Sequence, residues 1–110
     1  MRILSQSREF TKEELYKLTK SQKAKKMSEV AGDTVLPVDE YIIFERANAD
    51  GEISTVASIL SAGDIYVTNS PSFTNEFIEL SDIFGDKIPP INVVHGKSKR
   101  GREFITCALA

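Results

Sequence analysis

The chain has 110 residues, a formal net charge of −2, one cysteine and one histidine. This length fits a single domain, and the lone cysteine excludes both an intramolecular disulfide and a zinc site built from cysteines. No run of about 18 apolar residues occurs, and the first residues lack the apolar stretch of a secretory signal. We therefore expect a protein of the reduced cytoplasm that does not enter membranes.

The net charge is the result of three opposed regions. Residues 1–26 hold eight basic against three acidic side chains, a net charge of +5, and residues 97–110 hold four against one, a net charge of +3. The intervening residues 27–96 hold two basic against twelve acidic side chains, a net charge of −10. Such asymmetry indicates a local site for a polyanionic partner, whereas the acidic balance argues against binding of nucleic acid by the whole surface.

The N-terminal third is predicted to be helical. Residues 11–14 have the pattern of a capping box, with a hydroxyl at the N-cap and a carboxylate three residues later. Helix-forming residues follow as far as Met27, and residues 30–33 end the segment. Because its apolar stripe is thin, we expect residues 1–33 to form an N-terminal arm and basic helix that docks on a domain formed by residues 34–110.

Strand patterns begin at residue 34. Residues 34–46 are rich in Val, Ile, Tyr and Phe, which favour strands. The pair Asp50-Gly51 then predicts a hairpin with a type I′ turn, because that turn requires positive φ angles. Residues 52–60 form the returning strand, and a further turn leads to a short strand over residues 65–68.

A second helix follows the three strands. Ser70 is its predicted N-cap, Pro71 suits the first turn, and Gly85 marks its end. Apolar residues recur at helical spacing within it: Phe73, Phe77, Leu80 and Phe84. The chain then closes with predicted strands over residues 91–95 and 102–109.

Five strands with a helix between the third and fourth is the element order of the OB-fold, a small, partly open barrel. We therefore predict a mainly β (α+β) protein, a five-stranded OB-like barrel with an extra N-terminal helix. The second helix would plug one end of the barrel with its phenylalanines. An open antiparallel sheet with one helix packed on a face uses the same elements and is the alternative fold.

Two clusters of cations are candidate phosphate-binding sites. The first lies in the loop between the last two strands and comprises Lys97, Lys99, Arg100 and Arg102. In an OB-fold this loop lines the binding groove, and its charges attract a phosphate backbone by Coulombic interaction and counterion release. The second lies on the predicted N-terminal helix and comprises Lys17, Lys20, Lys23, Lys25 and Lys26. A solvated charged surface is the alternative explanation of both clusters.

Binding of single strands also requires aromatic faces on which bases stack. Tyr41 and Tyr66 lie on the first three predicted strands, where an OB groove lies, and a phenol tolerates a half-exposed position. Both are therefore predicted to stack on bases. Phe44 and Phe104 are expected to point into the core.

The sequence Gly96 to Cys107, GKSKRGREFITC, together with residues 77–85, resembles small phage-encoded single-stranded-DNA-binding proteins of OB-fold type. The resemblance covers about the C-terminal two-thirds of the chain and includes no catalytic signature. It implies sequence-nonspecific coating of single-stranded DNA during phage replication or recombination, in the cytoplasm of a bacterial host. Replication or recombination proteins would be further partners. The resemblance assigns a DNA-binding role in this chain to the basic loop residues alone.

We expect a non-enzymatic protein without cofactor or metal. Residues 48–54 look like part of a calcium loop but lack its closing bidentate carboxylate, and His95 and Cys107 lack a positioned third group for nucleophilic chemistry. The alternative function is a protein-interaction module, such as an inhibitor that mimics nucleic acid through Asp39, Glu40 and Glu45. Neither the oligomeric state nor a choice between DNA and RNA has a signature in the sequence.

Overall fold

The computed structural model describes residues 1–20 and 22–110. In this part of the chain the helices are α1 (Lys12–Lys20) and α2 (Pro71–Phe84), and a 3₁₀ turn covers Met27–Glu29. The strands, in chain order, are β1 (Arg2–Gln6), β2 (Lys25–Lys26), β3 (Val35–Leu36), β4 (Glu40–Ala47), β5 (Ile53–Ser61), β6 (Asp64–Thr68), β7 (Ile91–Lys97) and β8 (Glu103–Leu109). The prediction of a mainly β, α+β protein is confirmed.

The strands form two sheets. The larger has the order β1–β4–β5–β6–β2 and is antiparallel except for the short parallel pair β6–β2. The smaller is antiparallel, with the order β3–β7–β8. The sheets are linked between β3 and β4, at Pro37, which has no N–H to continue a ladder. No closed barrel forms among residues 1–20 and 22–110, because β6 pairs with β2 and not with β8.

The larger sheet is the middle layer of the molecule. One of its faces packs against α2 and the smaller sheet, around the buried rings of Tyr41, Phe73 and Phe77. Its other face packs against α1 through a smaller cluster that comprises Leu18, Ile42, Phe44 and Val56. Residues 1–33 thus contribute two strands and a helix to these layers. Because both faces of β4 are covered, its apolar residues form a continuous run rather than an alternation.

Helix α1 begins as predicted but ends earlier. The Thr11 N–H donates to Glu14 Oε1 (2.9 Å) and the Glu14 N–H donates to Thr11 Oγ1 (3.2 Å), so the capping box forms. The predicted continuation of the helix through Lys25 and Lys26 is wrong, because both residues belong to β2. The chain leaves the helix to place the next residue, Met27, in the main core, where it is fully buried.

The hairpin turns are of two types. Between β4 and β5, Gly51 has a positive φ of 81°, but Asp50 does not, so the predicted type I′ turn is wrong. The Gly51 N–H donates to Asn48 O (3.1 Å), which indicates a type I turn closed by a left-handed glycine. The type I′ geometry lies instead between β5 and β6, where Ala62 and Gly63 have φ angles of 50° and 86°.

Helix α2 has the predicted bounds, with Ser70 at its N-cap, Pro71 at its first position and Gly85 at its C-cap. The rings of Phe73 and Phe77 are fully buried. Phe84, expected in the core, is 36% exposed. Two phenylalanines, and not three, therefore hold α2 between the sheets, and burying each ring contributes about 1.5–3 kcal/mol. Neither of the helices in the described ranges is long and apolar enough to cross a membrane.

Candidate functional site

The basic loop forms the tip of the β7–β8 hairpin. The Ser98 N–H donates to Arg102 O (2.8 Å) and the Gly101 N–H donates to Ser98 O (2.9 Å), with Gly101 at a φ of 80°. All four predicted loop cations, Lys97, Lys99, Arg100 and Arg102, are exposed. Within residues 1–20 and 22–110, none of them forms a salt bridge. The backbone of the loop is thus held in place while its charges face solvent.

A depression lies between β6 and β8, where the two sheets do not pair. Its volume is about 320 Å³, and its lining comprises Ser28, Thr68, Asn69, Ser70, His95, Glu103, Phe104 and Ile105. The hydroxyls of Ser70 and Ser72 both donate to Ile105 O, at 3.3 Å and 2.8 Å. These bonds attach the start of α2 to the edge of β8, so the depression is bounded by hydrogen-bonded structure on that side.

This depression continues toward α1. It shares Thr68 and Asn69 with a neighbouring concavity that is also lined by Lys26 and Arg46. Arg46 in turn lines a third concavity, which reaches Lys20 at the end of α1. Cations from α1, β2 and β4 therefore line a row of adjoining concavities.

The depression also continues toward the β7–β8 hairpin. It shares His95 and Glu103 with a concavity that reaches Lys97. We call the whole depression the seam groove, and its charged and aromatic lining residues are Lys20, Lys26, Arg46, His95, Lys97, Glu103 and Phe104. The seam groove brings Lys97 of the first predicted cation cluster together with Lys20 and Lys26 of the second.

Phe104 is the exposed aromatic residue of the seam groove. The expectation that it points into the core is wrong, because its side chain is 38% exposed. Phe104 lies opposite Gly96 on β7, and a Cβ atom at Gly96 would stand 2.5 Å from Phe104 Cζ. The ring therefore covers the glycine backbone with one face. Successive side chains of a strand point to opposite faces, and Ile105 and Cys107 are buried, so the side chain of Phe104 lies on the face of β8 that does not meet the core.

The predicted tyrosines do not lie in the seam groove. Tyr41 is 1% exposed, and its hydroxyl donates to Gly85 O (2.7 Å), so its ring cannot stack on a base. It packs edge-on against Phe77, with the ring centroids 5.3 Å apart. Tyr66 is half-buried under Lys25, whose Nζ lies 5.8 Å from the centroid of the Tyr66 ring.

The remaining lysines of the second cluster have separate environments. Lys25 Nζ lies 3.1 Å from Asp64 Oδ2, and this hydrogen bond raises the pKa of the Lys25 ammonium group. Lys23 is exposed in the turn after α1, outside the lining of the seam groove. Arg46, which the sequence analysis did not select, lies in the groove instead. It could have been noticed as one of two basic residues in the acidic middle of the chain.

Basic residues near the N-terminus pair with two carboxylates of the acidic middle, Glu40 and Glu45. Arg8 bridges Glu14 and Glu40, and Arg2 Nη1 lies 3.5 Å from Glu45 Oε1. The hydrogen bond from Arg8 lowers the pKa of Glu14 to about 2, with a further contribution from the Thr11 backbone. Two of the three carboxylates considered as a nucleic-acid mimic, Glu40 and Glu45, are thus paired. The third, Asp39, accepts the Ala62 N–H (2.8 Å).

His95 and Cys107 have separate structural contacts. His95 Nε2 donates to Val30 O (2.6 Å) and so attaches the segment after the 3₁₀ turn to β7. Cys107 is buried, with its Sγ 3.9 Å from Phe73 O, and desolvation raises the pKa of its thiol to about 12. Such a thiol is unsuited to act as a nucleophile. In the described ranges, no group of three His, Cys, Asp or Glu side chains is placed to hold a metal ion.

Comparison of the chain with protein-family models, curated proteins and solved structures found no match.

Proposed function

We propose that this protein binds single-stranded DNA along the seam groove without enzymatic activity. The observation that carries the proposal is the convergence of Lys20, Lys26, Arg46 and Lys97, which come from four different elements, on one groove that also contains an exposed aromatic ring. Cations bind the phosphates by counterion release, and the ring of Phe104 stacks on a base. The hairpin cations Lys99, Arg100 and Arg102 extend the positive surface beyond the groove.

We further propose that the two sheets are an OB-type barrel that is open on one side. The strands β3 and β4 take the place of a single first strand that bends at Pro37, since β3 pairs with β7 and β4 pairs with β5. The strands β5, β6, β7 and β8 then follow as the second to fifth, with α2 between the third and fourth. The missing contact is β6 with β8, and the seam groove occupies that gap. In OB-folds the face of the second and third strands and the loop between the fourth and fifth bind oligonucleotides, and in this assignment these are β5, β6 and the β7–β8 hairpin, which border the groove.

The biological role within this proposal is sequence-nonspecific coating of single strands during phage-type replication or recombination. Its support is the resemblance of the C-terminal residues to small phage-encoded single-stranded-DNA-binding proteins. The alternative role, capture of a protein through Asp39, Glu40 and Glu45, has weaker support, because all three carboxylates have intramolecular partners. The acidic residues without a salt bridge in the described ranges include Glu76, Glu79 and Asp82 on α2.

Fluorescence anisotropy with a labelled oligothymidine at low salt tests the proposal. We expect saturable binding that weakens as salt is added, and weaker binding of a duplex of the same length, because its stacked bases are closed to Phe104. An oligouridine of matched length tests the choice between DNA and RNA. Absence of binding to every single strand at low salt would refute the proposal.

A further inference from the structure

We propose that His95 is a further phosphate-binding residue of the seam groove, and that it binds phosphate only when its imidazole is protonated. Binding of single strands should therefore strengthen as the pH falls through the range in which histidine side chains gain charge, from about pH 8 to about pH 5. The inference rests on the proposed function, because it assumes that a single strand occupies the groove.

The first observation is the position of His95 on β7. His95 and Lys97 are two residues apart on this strand, so their side chains share a face of the hairpin. Both residues line the concavity next to the hairpin, and His95 also lines the central concavity with Thr68 and Asn69. His95 therefore stands at the boundary that the two concavities share.

The hydrogen bond of the His95 ring determines which nitrogen can change its role. His95 Nε2 lies 2.6 Å from Val30 O, and because a carbonyl oxygen only accepts, Nε2 carries the hydrogen of the neutral ring. Nδ1 is then an acceptor, which repels a phosphate oxygen, and it forms no hydrogen bond within residues 1–20 and 22–110. Protonation gives Nδ1 a hydrogen and the ring a positive charge, so that Nδ1 becomes a charge-assisted donor to an anion.

The packing of the ring leaves Nδ1 accessible. A Cβ atom at Gly32 would stand 3.7 Å from His95 Cδ2, and Nε2 donates to Val30, so the Cδ2–Nε2 bond faces the segment after the 3₁₀ turn. Nδ1 is the ring atom opposite this bond, and the His95 side chain is exposed. Because the charged imidazole also donates from Nε2, the attachment to Val30 is kept in both charge states. Protonation therefore changes what the ring can bind without breaking its contact with the fold.

The charged groups around the ring make its proton decisive for this end of the groove. Glu103 lies opposite Lys97 on the hairpin and lines the same two concavities as His95. The charges of Lys97 and Glu103 cancel, so this end of the groove becomes positive when the imidazole is protonated. On the segment that packs against the ring the charged residues are Glu29 and Asp33, and the lining from β6 and the start of α2 is uncharged.

Thermodynamic linkage gives the direction and the size of the effect. A phosphate beside His95 favours the charged imidazole, and by reciprocity protonation of His95 favours phosphate binding to the same extent. One more neutralised phosphate should steepen the slope of log K against log salt from about −2.8, for the four permanent cations, to about −3.5. At 50 mM salt this extra contact strengthens binding by about five- to tenfold.

Anisotropy titrations with a labelled oligothymidine at about pH 5.5 and about pH 8 test the inference, since they span the charge change of histidine and thymine is uncharged at both values. We expect the unmodified protein to bind about five- to tenfold more tightly at the lower pH, with the steeper slope. His95→Gln is uncharged at both pH values and keeps an amide donor for Val30 O. Its affinity and slope should stay near those of the unmodified protein at pH 8. The matched control adds Asn75→His to His95→Gln, which moves the histidine to the exposed surface of α2 and should not restore the pH dependence.

The possible outcomes separate this inference from the proposed function. Equal slopes at the two pH values in the unmodified protein, with binding at both, would overturn the role of His95 and leave the proposed function intact; this comparison needs no variant to fold. A pH dependence of the same size in His95→Gln, or its return in the control variant, would also overturn the role of His95. Absence of binding at both pH values would overturn the proposed function itself, and this inference with it.

Discussion

The salt dependence of binding is the most direct consequence of the seam groove. Four cations line it: Lys20, Lys26, Arg46 and Lys97. If each neutralises one phosphate of a single strand, log K falls with log salt with a slope of about −2.8. Raising the salt concentration from 50 mM to 200 mM should then weaken binding about fiftyfold.

Removing two of these cations should halve the slope. For the double substitution Lys26→Ala and Lys97→Ala we expect a slope of about −1.4, and about a sevenfold loss of affinity over the same salt range. The matched control is Lys12→Ala with Lys87→Ala, which removes the same charge from exposed positions outside the groove lining. Anisotropy titrations with a labelled oligothymidine measure all three slopes.

Two results would contradict phosphate binding in the seam groove. An unchanged slope in the groove variant would show that the phosphates bind elsewhere. An equal reduction in the control variant would show that the effect comes from net charge and not from the groove. Because all four substituted lysines are exposed, we expect unchanged folding, and the circular dichroism spectra and melting temperatures of both variants check this point.

Three further predictions concern stacking, the core and pH. Phe104→Leu should still cover Gly96 but weaken oligothymidine binding at least about fivefold, since stacking contributes about 1–3 kcal/mol per base; an unchanged Kd would exclude stacking on this ring. Tyr41→Phe should lower the free energy of unfolding by about 1–2 kcal/mol in urea titrations, because Gly85 O loses its buried donor; unchanged stability would contradict this role. Glu14 has a pKa of about 2 in the folded protein against an ordinary value of 4.5, because it pairs with Arg8. The ion pair therefore stabilises the folded protein above pH 4.5, and this stabilisation disappears as the pH falls toward 2. The melting temperature of Glu14→Gln should therefore lie below that of the unmodified protein at pH 7 and match it near pH 2, whereas a constant difference would contradict the assignment.

The elements whose hydrogen bonds join residues close together in the chain were predicted from the sequence. The capping box at Thr11 and Glu14 forms as expected, and α2 runs between its predicted cap residues, Ser70 and Gly85. In both cases the hydrogen bonds join residues three or four positions apart, so the local sequence contains all the partners. The exposed basic loop was predicted for the same reason, since its turn closes between Ser98 and Arg102.

The direction of strand side chains depends on how the layers pack. Tyr41 was predicted to be available to bases and is buried, because both faces of β4 are covered. Phe104 was predicted to be buried and is exposed, because only the opposite face of β8 contacts the core. The sequence of a strand predicts which side chains share a face, but the packing of the layers determines which face is exposed to solvent.

The seam groove itself was decided by the tertiary structure alone. The sequence determined that this chain has a mainly β fold, an exposed basic loop and a second set of lysines near its start. It did not determine that Lys25 and Lys26 leave the helix and pair with β6, which leaves β8 without a strand at that edge. Pairing between segments 41 residues apart depends on long-range contacts that no local pattern encodes, and the groove exists only where that pairing leaves the two sheets apart.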